Sequence, residues 1–287
     1  MTSAIREAAL ARRAEIEARH PSLVRPSPRR RLTAIGIAGL LAAVAIFGLD
    51  RIGFSLLRML DGLDRLWLVI GLMIPPSPGP MLITYLGGLA ETVAIAFLGT
   101  LIAAILGFPL SLLAAKNVIA NRIVHFLARR GLDTLRGVET LIWALIFINV
   151  VGLGPFAGIL AIALSDTGSF GKLFSEAIEA SDRKPVEGVR SAGGSTLHGI
   201  WFGILPQVFP VLASQVLYYF ESNTRSATII GIVGAGGVGL YLANEIQQAE
   251  WPRVAFLILM ILATVALIDW ISSKLRFAII GRKSVGR

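Results

Sequence analysis

The 287 residues contain no cysteine, so no disulfide and no thiolate metal centre is available to this chain. Histidine is almost as scarce. His20, His125 and His198 are scattered and offer no metal-ligand spacing. No Gly-x-x-x-x-Gly-Lys-Ser/Thr run occurs, which excludes ATP hydrolysis on a phosphate-binding loop of that kind. Charge is sparse, at 16% of residues. The first apolar run starts only after Arg29, Arg30 and Arg31 and lacks a small-residue cleavage site, so the N-terminus does not read as a removable signal. What remains is apolar: 55% of residues are hydrophobic and the mean hydropathy is +0.73. A soluble domain does not carry that much, so the class is an all-α integral membrane protein.

The net charge of +9 raises the question of nucleic acid. The bases, however, cluster beside apolar runs, which is the positive-inside pattern, so the expected partner is the lipid bilayer and not nucleic acid. Six transmembrane helices are predicted, with both termini cytoplasmic. A basic tail over 1–31 precedes a first span over 32–49. Residues 50–65 alternate charge and bulk, as an interfacial amphipathic helix does. Leu66 to Ile74 is too short to span a ~30 Å core, and Pro75, Pro76, Pro78 and Pro80 end it. The region 50–88 therefore reads as an outer interfacial or re-entrant segment. A core over 89–273 holds spans at about Thr92–Ala115, Val138–Val151, Phe156–Phe174, Pro206–Ser222 and Val254–Trp270, and a basic tail follows over 274–287. No inverted repeat of the kind common in secondary transporters is evident.

The inner loop between the fourth and fifth spans is the most informative stretch. Pro185 and Glu187 suit the first turn of a short helix. Val189, Ala192 and Leu197 give it a docking face, and Gly193 and Gly194 break it. Asp166 and Thr167 sit inside the fourth span, where a carboxylate marks a functional site by default; the alternative is internal pairing, with Lys172 for example. Arg136 and Glu139 are spaced to pair on one face. From Pro206 to Arg225 a helix rises roughly 28 Å, which puts Arg225, with Asn223 and Ser226, toward the outer end. There Arg225 either meets an incoming oxyanion or pairs with Glu221. Gly234-Ala235-Gly236-Gly237-Val238-Gly239 is a literal dinucleotide fingerprint, but no strand–turn–helix unit surrounds it. Gly234, Gly236 and Gly237 read instead as close packing at an outer gate.

The loop resembles the coupling loop of bacterial ABC importer permeases, with Glu187, Gly193, Leu205 and Pro206 at matching positions. Gly188-Val189 stand in place of Ala-Ala, and Ile204 falls one place late. Further stretches, among them Leu141–Phe147, Val151–Gly158, Gly171–Glu179, Pro185–Arg190, Gly203–Val208 and Arg225–Gly231, make the chain similar to the permease subunit of the phosphonate ABC importers from about Leu89 to Trp270. That resemblance implies a type I ABC importer permease fold in a bacterial inner membrane. It implies a homodimer around one path for phosphonate, phosphite or phosphate. Two ATPase subunits would bind on the cytoplasmic side, holding ATP and magnesium, and an extracytoplasmic solute-binding protein would dock above. This chain would then bind no cofactor or metal and catalyse nothing itself. Glu187, Val189, Arg190, Gly193, Ser195, Thr196 and Leu197 would meet the ATPase, while Asp166, Thr167, Asn223, Arg225 and Ser226 would line the path. The rival readings are a type I permease for another small solute, such as an amino acid, and an ATP-independent secondary carrier.

Overall fold

The computed structural model describes residues 28–119 and 121–281. Most of the proposed N-terminal tail, with His20, and residues 282–287 of the C-terminal one lie outside the described residues. The chain divides into two units, Met1–Leu68 and Val69–Arg287.

In the first unit, α1 (Pro28–Arg51) is apolar and exposed along its described length, as a helix with lipid for its solvent must be. Gly53, at φ +63°, closes it in the left-handed turn that glycine adopts without a Cβ clash. The amphipathic pattern expected over 50–65 appears as α2 (Leu56–Leu72), which runs on through the apolar residues after Arg65 and across the division between units. The prolines that follow end it.

The second unit is built on α3 (Leu82–Ala114), α6 (Pro155–Glu179), α9 (Leu205–Ile232) and α11 (Trp251–Gly281). Between them lie α4 (Arg122–Arg136), α5 (Thr140–Val151), the short α7 (Lys184–Ser191), the single turn α8 (Thr196–His198) and α10 (Val238–Gln247). Small residues let α3 and α6 approach. A Cβ on Gly99 would lie 2.7 Å from Ile162, and one on Gly107 would lie 2.8 Å from Phe170. One layer of the core joins Ile95, Ala161, Ile162, Ala227 and Ile230. A second layer joins Ala103, Phe170, Phe174, Ile204, Val208 and Leu212.

Several boundaries differ from expectation. Helix α3 starts at Leu82, not Thr92, because Glu91 is carried within the helix instead of ending it. Helix α9 runs to Ile232, ten residues past Ser222, carrying Glu221 and Arg225 as an i,i+4 pair within it. By length and composition four segments can cross a membrane: Leu32–Arg51, Gly79–Ala114, Thr196–Ile232 and Trp251–Ile279. The pair α4–α5, bent by 84°, makes a fifth if taken as one broken span. The count of six is thus not reached on these criteria. Helix α6 is not among the qualifying segments, because its second half carries Asp166, Thr167, Ser169 and Lys172.

Candidate coupling loop and transport path

The loop between α6 and α9 folds as a short helix braced at both ends. Pro185 sits in the first turn of α7, where its missing N–H costs nothing, and Glu187 is in that turn as the helix dipole favours. Gly193, at φ +85°, turns the chain out of α7, and Gly194 N donates to Val189 O at 3.0 Å. Ser195 then caps α8. Its Oγ lies 2.9 Å from His198 Nδ1 and accepts from His198 N, while Ser195 N donates to the same imidazole at 3.3 Å. A wide helical turn over Gly199–Ile204 leads into α9. Val186 anchors α7 to it. A Cβ on Gly203 would lie 2.8 Å from Val186, so glycine is what permits this approach.

The Gln207 amide ties the loop's two ends together. Its Nε2 donates to Gly203 O (2.6 Å) and Asp182 O (3.1 Å), and its Oε1 accepts from Asp182 N (3.0 Å). Glu179 does the same for the preceding helices, accepting from Lys116 N at 2.8 Å and from Arg129 at 3.0 Å. Neither Gln207 nor Glu179 stood out in the sequence, because one polar residue at a span boundary looks like any other. Of the residues assigned to the ATPase contact, Glu187, Arg190, Ser195, Thr196 and Leu197 are exposed, and Leu197 is 65% accessible. Val189 is half-buried against Gly194, so its side chain supports the loop as much as it faces outward.

Asp166 and Asn223 meet in the middle of the bundle, where they are only 6% and 5% accessible. Asn223 Nδ2 donates to Asp166 Oδ2 and to Thr100 Oγ1 (2.8 Å), and Thr100 Oγ1 donates to Ala96 O at 2.6 Å. One polar thread therefore links α3, α6 and α9. Thr167 is buried with its hydroxyl donating to Ala163 O (2.6 Å), so it takes no part in the thread. The internal pairing given as the alternative for Asp166 is thus found, with Asn223 as the partner and not Lys172. Six residues on a helix put Asp166 and Lys172 on different faces, and Lys172 Nζ reaches Asp133 Oδ1 instead, at 3.4 Å. Arg136 likewise lies 4.0 Å from Asp133 Oδ1, and Glu139, expected as its partner, stands at the break between α4 and α5. Partial desolvation pushes the Asp133 carboxyl up. The Lys172 hydrogen bond and charge, with Arg130 and Arg136, outweigh this and hold it below the usual carboxylate range.

Arg225 Nη1 stands 3.6 Å from Glu221 Oε1, the i,i+4 pair that was one of the two readings. The residue is nonetheless half exposed, at 49% of its side chain, so pairing leaves one flank open. Arg225 lies seven residues before the end of α9, about 10 Å below its tip. Ser226 Oγ donates to Ser222 O at 3.4 Å. The glycine stretch forms a tight turn with φ of +103° at Gly234, +83° at Gly236 and +78° at Gly237. Gly154 N donates to Gly234 O (3.0 Å), and Val238 N donates to Thr92 Oγ1 (2.8 Å), so the turn is fastened to α6 and α3. Beside it, a cavity of about 280 Å³ includes Glu91, an acid that the expected span, starting at Thr92, left just outside.

Membrane-length helices around a buried polar thread, with a braced helix outside the apolar spans, define a multi-pass membrane permease. The chain belongs to the family of binding-protein-dependent transport system inner membrane components, whose model matches residues 107–279. HtxC, a permease protein of Stutzerimonas stutzeri, is 40% identical over 225 residues, covering 78% of this chain and 79% of its own. The phosphite transport system permease protein PtxC of the same organism is 37% identical, over 76% of this chain and 79% of its own. The phosphate-import permease protein PhnE of Mycolicibacterium smegmatis is 33% identical, over 86% of this chain and 47% of its own. Among solved structures, the inward-facing MetNI methionine ABC transporter superposes with a TM-score of 0.62 at 18% identity, covering 71% of this chain and 99% of that one. The fold is that of a type I importer permease, as the resemblance implied.

Proposed function

We propose that two copies of this chain form the translocation path of an ATP-driven importer for a phosphorus oxyanion: phosphonate, phosphite or phosphate. The cargo class follows from the names of relatives that share three quarters or more of this chain. In this reading ATP and magnesium sit in two partner ATPase subunits, and this chain has no catalytic role. A solute-binding protein delivers cargo from outside, and both termini lie in the cytoplasm.

The observation that carries the reading is the brace at Gln207. Its bonds to Asp182 and Gly203 make α7, α8 and the foot of α9 one stiff piece, with Leu197 projecting from it. Force applied at Leu197 then reaches α9, and through Asn223 reaches α6 and α3. A two-state bundle biased at one end in this way alternates its access.

Leu197→Asp places a charge on the proposed contact without disturbing any bond of the loop. Uptake of methylphosphonate by proteoliposomes holding the full importer should fall at least tenfold, while the amount of inserted permease stays constant. Unchanged uptake would refute ATPase coupling through this loop and favour an ATP-independent carrier.

A further inference from the structure

The cavity beside the glycine turn belongs neither to the coupling loop nor to the polar thread. It lies where α3 meets the turn into α6 and the turn from α9 into α10, at the end of α9 remote from Leu205. Glycines form one wall, and Leu153, Pro155, Leu240 and Tyr241 form the rest. Glu91 is the one charged residue lining it. A Cβ on Gly236 would lie 2.6 Å from Glu91 Oε1, so the carboxyl stands against the turn. A Cβ on Gly88 would lie 2.6 Å from the Tyr241 ring, and Glu91 follows three residues on, on the same face of α3. An acid within a membrane bundle is costly unless it is matched. The acids on neighbouring helices are matched. Asp166 meets Asn223, Glu179 meets Arg129, Glu221 meets Arg225 and Arg276, and Glu245 meets Tyr85 and Arg253. Glu91 is half-buried, yet it meets no hydrogen-bond donor and no cation among the described residues.

We infer that this cavity is a socket for a lysine or arginine side chain of the solute-binding protein on which the family depends. The inference rests on the importer reading above. A side chain of that kind has two parts, and the cavity has a place for each. The apolar wall takes the methylene stem, and Glu91 takes the charged head. Tyr241 presents an aromatic ring to the same cation. A phosphorus oxyanion does not fit, because the only charge on the wall is negative. A metal ion does not fit either, since no three His, Asp or Glu side chains gather to hold one among the described residues. The site is built from two turns at the ends of helices, where a soluble protein can reach it, and Leu153 and Leu240 are exposed at its rim. Once seated, one basic side chain touches α3, the entrance to α6 and the glycine turn together. Docking and the conformation of that turn are then joined.

The chain has no cysteine, so Leu240→Cys places a single thiol on the wall. With the full chain in nanodiscs, its rates of reaction with a cationic trimethylammonium-ethyl methanethiosulfonate and with an anionic sulfonatoethyl one are compared. Adding Glu91→Gln should lower the cationic-to-anionic rate ratio at least threefold, while Glu91→Asp should keep the preference. The solute-binding protein encoded with this permease, once added, should slow the cationic reagent at least tenfold. That protein should also bind at least tenfold more weakly to Glu91→Gln than to wild type, in a chain that keeps Leu240. Its binding to wild type should weaken as salt rises, and its binding to Glu91→Gln should depend less on salt. Glu91→Gln removes an unmatched charge, so it should unfold at or above the wild-type temperature. An unchanged rate ratio, or equal binding to Glu91→Gln and wild type, overturns the inference. So does a thiol already shielded before the binding protein is added, which would assign the socket to a second copy of this chain. If any of these occurs while Leu197→Asp still abolishes uptake, the transport reading stands and this cavity is not where the binding protein docks.

Discussion

A carboxylate inside a span has to be matched within the protein, and Asp166 draws its partner from another helix, at Asn223. Asn223 is the joint of the polar thread, since its single amide also holds Thr100. Asn223→Leu should therefore cost about 2 kcal/mol or more by stranding a buried acid. Asp166→Asn should cost much less, because an amide oxygen still accepts; thermal unfolding of the purified protein measures both. Asp133 allows a pH test. Its carboxyl is held below the ordinary value, so its contribution is complete above that value and fades only as pH falls through the lower folded one. The stability difference between Asp133→Asn and wild type should stay flat from pH 5 to pH 8. The sequence exposed Asp166, Asn223 and Arg225 as unusual, because polar residues stand out against an apolar background. It could not show which pairs with which. Asp166 with Lys172 and Arg136 with Glu139 were sensible neighbours in one dimension. The bonds actually formed cross between helices.

At the scale of elements, glycines decide how close helices come. A Cβ on Gly239 would run into Thr228 O and lie 2.9 Å from Ile232 N, where α10 doubles back on α9. Gly239→Ala should destabilise by about 1–3 kcal/mol, as overpacking does, and shift the glycine turn. Gly188 is the opposite case. It lies in the interior of α7 with nothing within 4 Å of its absent Cβ. Gly188→Ala, which restores one of the two alanines common at this position in the importer loop, should stabilise α7 by roughly 0.8 kcal/mol, visible as a higher unfolding temperature. The long apolar elements were legible, because apolar runs, prolines and glycines mark them; the polar helix α4 and the short α10 were not anticipated. Element ends were less legible. Glu221 and Arg225 looked like the water-facing end of a span, but α9 carries them as a pair and continues to Ile232.

For the whole molecule, class and family were legible because composition and several motifs agreed, and they stand. The number of crossings was harder to read, since α5 has only twelve residues and α6 carries its charges mid-helix. Orientation can be settled cheaply, because the chain has no cysteine to remove. With both termini inside, Leu197→Cys should react with an impermeant maleimide in inside-out vesicles and not in intact cells. Gln247→Cys, at the end of α10, should do the reverse.

The Gln207 brace also sets a mechanical ratio. Helix α9 is about 42 Å long, while the piece clamped below it is only a turn or two. If the clamped foot rocks by about ten degrees, the tip at Ile232 sweeps about 7 Å over that length. That is wide enough to pull the glycine turn off Thr92 and Gly154. In the transport reading proposed above, a modest nudge at Leu197 would thereby be geared up into an unlatching at the opposite end of α9.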